Sequence, residues 1–206
     1  MNALELMRAG PVMPVIVIKD LDTAVPLAQA LVAGGIRSLE ITLRSDVALQ
    51  AMRLIAEAVP EALVGAGTVR SAAQLDAALR AGARFAISPG LTPDLAAAAR
   101  DCGVPFLPGI ATPAEAMWAA EQGYTEQKLF PAAAVGGVAL LKALHGPLPE
   151  LRYCPTGGIN AANAGEYLAL PNVECVGGSW LTPVAAVAGR RWADITALAR
   201  QAAALK

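Results

Sequence analysis

Val12-Met13-Pro14-Val15-Ile16-Val17-Ile18 is an apolar run rich in β-branched residues, and residues 21–32 follow it with helical spacing before Gly34-Gly35. Such a run favours a strand, and the periodic stretch behind it favours an amphipathic helix. The same pairing recurs along the chain. Residues 36–43 precede 47–59, 62–69 precede 72–81, 84–88 precede 93–102, and 104–110 precede 113–122. Further on, 127–131 precede 138–144, 151–156 precede 161–168, and 173–178 precede a helical tail from Pro183.

Strands that alternate with helices pair in parallel, because each crossover helix returns the chain in the same direction. Eight such units average about 26 residues, near the lower size bound of a closed (β/α)8 TIM barrel. The expectation is therefore one domain over residues 1–206, with parallel strands and a short N-terminal helix. The alternative is an open doubly wound sheet. Its first βα turn would be Lys19-Asp20-Leu21-Asp22, which lacks the glycine fingerprint of a dinucleotide site. Several strands end in small or polar residues: Gly65-Ala66-Gly67-Thr68, Ser88-Pro89-Gly90, Pro108-Gly109, Pro155-Thr156-Gly157-Gly158 and Gly177-Gly178-Ser179. In a barrel these carboxyl ends surround a single mouth, where the active site sits.

Hydrophobic residues make up 55% of the chain and charged residues 16%. That balance predicts a large core and a further apolar face covered in an oligomer. A formal net charge of -1, no basic run and three each of Trp, Tyr and Phe leave no electrostatic footprint for nucleic acid. No apolar run approaches the ~20 residues of a membrane span, and the N-terminus lacks the pattern of an export signal, so the cytoplasm is the expected location. Cys102, Cys154 and Cys175 are widely spaced and His145 is the sole histidine. This predicts buried thiols at Cys154 and Cys175, and neither a disulfide framework nor a metal site.

The chemically odd residue is Lys128 in Glu126-Gln127-Lys128-Leu129-Phe130-Pro131-Ala132. Of four lysines, Lys142 and Lys206 fall in a helical stretch and at the C-terminus, where exposure is expected. Lys128 lies in a strand. An ammonium in an apolar wall is costly unless it is paired or loses its proton, and a neutral amine is a nucleophile that forms a Schiff base with a carbonyl. The competing reading is a strand-end lysine whose stem reaches solvent. Lys19 competes for the chemical role, but it opens into Asp20 and Asp22, whereas apolar residues follow Lys128. Glu40, in Ser38-Leu39-Glu40-Ile41-Thr42-Leu43, shares a strand face with Thr42, opposite Leu39, Ile41 and Leu43. If that face lines the barrel, Glu40 is the carboxylate best placed for proton transfer; otherwise it is a structural partner of Arg44.

Thr156-Gly157-Gly158-Ile159-Asn160 and Gly177-Gly178-Ser179 close the seventh and eighth strands, where barrel enzymes recurrently bind phosphate. Glycines let backbone N–H groups approach an oxyanion, and Ser179 adds a hydroxyl. Arg44 and Thr68 should face the same mouth, with a guanidinium suited to a substrate carboxylate; Thr68 is alternatively a helix cap.

Taken together, Pro14 to Ile18, Leu39-Glu40-Ile41-Thr42-Leu43-Arg44, Val64-Gly65-Ala66-Gly67-Thr68-Val69, Phe85 to Gly90, Lys128-Leu129-Phe130-Pro131-Ala132, Cys154 to Ile159 and Val176 to Leu181 resemble the bacterial 2-keto-3-deoxy-6-phosphogluconate aldolases and the related 4-hydroxy-2-oxoglutarate aldolases. The resemblance implies a class I aldolase on a (β/α)8 barrel, usually trimeric, with no metal or cofactor. It implies Lys128 as the Schiff-base lysine and Glu40 as the proton shuttle. By the same matching, Arg44 and Thr68 bind the pyruvate-derived end and Pro89 and Phe130 shape the pocket, while Thr156 opens the loop beside them. Gly157, Gly158, Gly178 and Ser179 match the phosphate-binding positions. Relatives commonly carry a longer N-terminal helix, so the short start here leaves open how that end of the barrel is covered, and Leu129 stands where an aromatic residue is common.

The expected substrate is 2-dehydro-3-deoxy-6-phosphogluconate, cleaved reversibly to pyruvate and glyceraldehyde 3-phosphate. Alternatives are a preference for 4-hydroxy-2-oxoglutarate or the galactonate epimer, a non-catalytic sugar-phosphate binding barrel, and a barrel isomerase or synthase.

Overall fold

The computed structural model describes residues 1–205, and Lys206 lies outside the described residues. The strands are β1 (Val12–Ile16), β2 (Ser38–Thr42), β3 (Leu63–Gly67), β4 (Ala86–Ile87), β5 (Phe106–Leu107), β6 (Gly109–Ile110), β7 (Glu126–Leu129), β8 (Arg152–Tyr153) and β9 (Val176–Gly178). The helices are α1 (Ala3–Met7), α2 (Ala24–Ala33), α3 (Ala48–Ala58), α4 (Ala72–Arg80), α5 (Pro93–Arg100), α6 (Pro113–Glu121), α7 (Gly137–His145), α8 (Ala164–Leu168), α9 (Val184–Ala188) and α10 (Trp192–Ala203).

Strands and helices alternate as the sequence pattern predicts, and every strand pairing is parallel. A curled six-stranded sheet has the order β5-β4-β3-β2-β1-β9, and a three-stranded sheet has the order β6-β7-β8. The last strand thus lies beside the first, and the order has no central reversal of the kind that the open doubly wound alternative requires. Pro108 alone separates β5 from β6. It has no N–H to give the ladder, so the expected continuous strand over 104–110 is interrupted there, yet its carbonyl still accepts from Lys128 N at 2.8 Å. Beyond β8, single bridges join Tyr153 to Val173 and Thr156 to Gly177. Short stretches of strand pattern at 84–88 and 151–156 therefore shrink to two-residue strands, and the helix expected from residue 21 begins as a 3₁₀ turn, Leu21–Thr23.

Side chains alternate across the sheet with period two. Leu39 and Ile41 of β2 and Val64 and Ala66 of β3 face outward into a core shared with Leu27 and Leu31 of α2 and Met52 and Ile55 of α3. The concave face carries the opposite parity. At its amino end Met13, Phe85, Ile87, Leu107, Cys154 and Cys175 pack together, and Leu6 and Met7 of α1 join them.

That short helix covers the amino end, a point the sequence left open. Leu6 and Met7 are 1% and 0% exposed, and burial of each is worth roughly 1.5–3 kcal/mol. The Asn2 side chain and Glu5 form a capping box that starts the helix, and Arg8 Nε donates to Glu174 Oε2 at 2.9 Å just past its end. Arg152 Nε lies 3.3 Å from the other oxygen of the same carboxylate.

Candidate active site

A cavity of about 930 Å³ opens at the carboxyl ends of the strands. Lys128 of β7 and Glu40 of β2 meet at its floor, with Nζ 3.2 Å from Oε1. Their side chains are 7% and 2% exposed, so the pair is shut away from bulk water. Backbone pairing fixes both partners: β2 holds Glu40 between Val15 and Gly65, and β6 holds Lys128 opposite Gly109. Gly67 supplies the space for the carboxylate, since a Cβ there would overlap Glu40 Oε1 and lie 2.6 Å from its Cγ. The Phe130 ring stands 5.4 Å from Lys128 Nζ, close enough for a cation–π contact.

This geometry decides between the two readings of Glu40. Glu40 pairs with Lys128 and not with Arg44, which reaches the cavity from the rim, where it is exposed. The amine therefore has a carboxylate for a neighbour as well as the apolar residues that follow it in sequence. Lys19 also lines the cavity but is exposed. The two aspartates beside it are engaged elsewhere: Asp20 accepts from Asp22 N at 3.1 Å, and the Asp22 carboxylate lies 3.8 Å from Arg190 Nη2. Lys142 is exposed on α7, as expected.

Thr68 and Pro89 line the cavity as well. Period two along β3 would turn Thr68 away, on the outward side with Val64 and Ala66. Its φ of 59°, rare for a β-branched residue, breaks the alternation and brings it to the cavity. The helix-cap alternative fails, because Ser71 Oγ accepts from Gln74 N at the start of α4. Backbone strain of this kind costs about 1–3 kcal/mol and gathers at functional sites.

At the far end of the cavity, the bridge between Thr156 and Gly177 sets the two glycine loops side by side. Gly157 and Gly158 have φ of 102° and 77°, a conformation that a side chain would disfavour. Gly178 and the exposed Ser179 complete this end. Each residue that the sequence put forward for catalysis or substrate binding therefore lines this one cavity.

Beneath the pair, Cys154 and Cys175 are buried, as expected. A hydrogen bond with Cys175 draws the Cys154 thiol below its usual pKa against the opposing pull of burial, and the Lys128 charge adds to the lowering. Cavity-lining residues that the sequence reading passed over include Val15, Val17 and Arg190. The first two were legible: period two from Met13 of the concave face runs through Val15 and Val17 to Lys19. Arg190 carried no signal, since it lies in a charged stretch before a helix.

A parallel α/β scaffold that buries a lysine–carboxylate pair in a cavity edged by two glycine loops has the parts that carbonyl chemistry through an amine requires. Comparison with known proteins agrees. The family model for KDPG and KHG aldolases matches residues 4–198. The 2-dehydro-3-deoxy-phosphogluconate aldolase of Dickeya dadantii is 54% identical over 203 residues, covering 98% of this chain and 95% of that protein. The KHG/KDPG aldolase of Escherichia coli K12 is 53% identical, covering 98% and 94%. The crystal structure of KDPG aldolase from Legionella pneumophila, with pyruvate captured as a covalent carbinolamine intermediate, superposes with a TM-score of 0.97 at 48% identity and 99% coverage of both chains. This chain belongs to the KDPG and KHG aldolase family.

Proposed function

We propose that the protein is a class I aldolase that cleaves 2-dehydro-3-deoxy-6-phosphogluconate reversibly to pyruvate and glyceraldehyde 3-phosphate. The observation that carries this reading is the 3.2 Å separation of Lys128 Nζ from Glu40 Oε1 at the cavity floor. Glu40 takes a proton from Lys128, and the neutral amine adds to the C2 ketone to give a carbinolamine. Loss of water, with Glu40 returning the proton to the leaving hydroxyl, forms the iminium. Glu40 then removes the C4 hydroxyl proton as the C3–C4 bond breaks. The bonding electrons pass into the iminium, leaving an enamine on Lys128 and releasing the aldehyde. Protonation at C3 and hydrolysis release pyruvate and restore the lysine.

The remaining residues divide the substrate between them. Arg44 and Thr68 hold the carboxylate end, Pro89 and Phe130 shape the pocket around the reacting carbons, and Thr156 contacts the substrate beside them. Gly157, Gly158, Gly178 and Ser179 hold the distal phosphate. The scaffold is read as a single (β/α)8 barrel domain. Support comes from β5 and β6 being separated by Pro108 alone, and from the Tyr153–Val173 and Thr156–Gly177 bridges beside β9, which itself pairs with β1. A homotrimer in the cytoplasm fits the hydrophobic composition, the exposed Met117 and Leu49, and the lack of any helix long and apolar enough to cross a membrane among the described residues.

The double name of the Escherichia coli relative favours one second reading, a preference for 4-hydroxy-2-oxoglutarate. A coupled assay of pyruvate release separates the two. Higher kcat/KM on the phosphorylated substrate supports the reading above, higher kcat/KM on 4-hydroxy-2-oxoglutarate supports the second, and no pyruvate from either leaves only a binding protein.

A further inference from the structure

The distal end of the cavity holds a charge problem that the glycine cradle does not solve. Gly157, Gly158, Gly178 and Ser179 offer only neutral donors, while a phosphate monoester carries about −1.5 to −2 charges at pH 7. Four cations line the cavity: Lys19, Arg44, Lys128 and Arg190. Lys128 is paired with Glu40, and Arg44 stands with Thr68 and Arg70 around a neighbouring recess. Lys19 and Arg190 are left for the distal anion. Of these, only Arg190 has the planar fork that grips two phosphate oxygens at once.

We propose that Arg190 selects a phosphorylated acceptor by releasing Asp22 and closing its guanidinium on the distal phosphate. The assignment deepens the aldolase reading and rests on it for the identity of the substrate. Two observations single Arg190 out. Its φ of 50° is left-handed in a residue with a side chain, and the turn is held by Arg190 N donating to Val187 O at 3.0 Å and Arg191 N to Ala186 O at 2.9 Å. The stem therefore leaves the end of α9 from a fixed backbone, the kind of local strain that functional sites retain. Second, its partner is weak. Asp22 is 3.8 Å away and the two side chains are 60% and 81% exposed, so the pair contributes little and yields to a stronger anion. The adjacent Arg191 is already committed, with Nε donating to Asp194 at 2.9 Å.

The test uses Arg190→Asn, which removes the cation while tolerating the left-handed backbone, with Arg190→Lys and Asp22→Asn beside it. The readout is the ratio of kcat/KM on 2-dehydro-3-deoxy-6-phosphogluconate to that on its unphosphorylated counterpart. Arg190→Asn lowers this ratio roughly ten- to a hundredfold, chiefly through KM, as expected for loss of a hydrogen-bonded charge contact. Arg190→Lys restores part of the loss, and Asp22→Asn, which frees the guanidinium, moves the ratio upward. An unchanged ratio in Arg190→Asn overturns the proposal. Protection by inorganic phosphate against thermal unfolding reports on the same site without catalysis. Protection lost in Arg190→Asn upholds the assignment even if the wild-type protein cleaves neither substrate, in which case the aldolase reading alone fails. Equal protection in both proteins overturns it.

Discussion

Lys128 Nζ and Glu40 Oε1 lie 3.2 Å apart although 88 positions separate the residues in sequence, and both side chains are buried. The proposed mechanism passes a proton between these two groups at successive steps.

Removal of the acid should stall that exchange. Glu40→Gln keeps the shape of the side chain but cannot accept the proton, so kcat falls roughly 10²–10⁴-fold, the usual worth of a general acid–base group. Steady-state pyruvate release checks this, and a loss under tenfold would remove Glu40 from the proton path.

Gly67→Ala tests the positioning of the same carboxylate. The added methyl overlaps Glu40 Oε1 and pushes it off the lysine. Since a misplacement near 1 Å costs on the order of 100-fold in rate, activity drops by about that factor. The side chain can yield, so the fold survives with a penalty of about 1–3 kcal/mol in urea unfolding.

At the amino end, Leu6→Ala removes buried atoms from the plug that α1 forms and costs about 2–5 kcal/mol in urea unfolding. Arg8→Ala loses only a half-exposed ion pair to Glu174 and is the milder change. A reversed order would mean that the Arg8–Glu174 contact, rather than apolar packing, holds the helix.

Tyr153 provides a prediction in pH. Among the described residues its buried hydroxyl has no hydrogen-bond partner. Burial, assisted by the Glu150 charge, pushes its pKa up to about 12. The folded chain keeps the proton up to about 12 while the unfolded chain releases it near 10, so the unfolded state binds fewer protons across that window. The contribution is fully present below pH ~10, and stability declines as pH rises from ~10 to ~12, by about 2–3 kcal/mol for this one group. Urea unfolding of Tyr153→Phe should show a shallower alkaline decline, and an identical decline would shift the cause to other groups.

The alternation of strand and helix was plain in the sequence because apolar periodicity and glycine stops mark almost every unit. Lys128 and Glu40 stood out for a related reason, each being a charge on a strand whose other residues demand burial. What stayed hidden was whatever depends on single backbone angles or on contacts between distant strands. Arg190 arrives through a left-handed turn between two helices, and Thr68, although expected at the mouth, gets there by a φ of 59° that no sequence pattern announces. The break at Pro108 likewise follows from one missing N–H in an otherwise continuous strand pattern. The inward face of Glu40 was legible from period two, but its partner was not, because sequence neighbours such as Arg44 are visible and a partner 88 positions away is not.

The most direct measurement is intact mass after borohydride treatment in the presence of pyruvate. The wild-type protein and Lys19→Met should each gain one reduced pyruvyl adduct, and Lys128→Met should gain none. Full trapping in Lys128→Met, with trapping lost in Lys19→Met, would contradict the assignment of the buried lysine as the nucleophile.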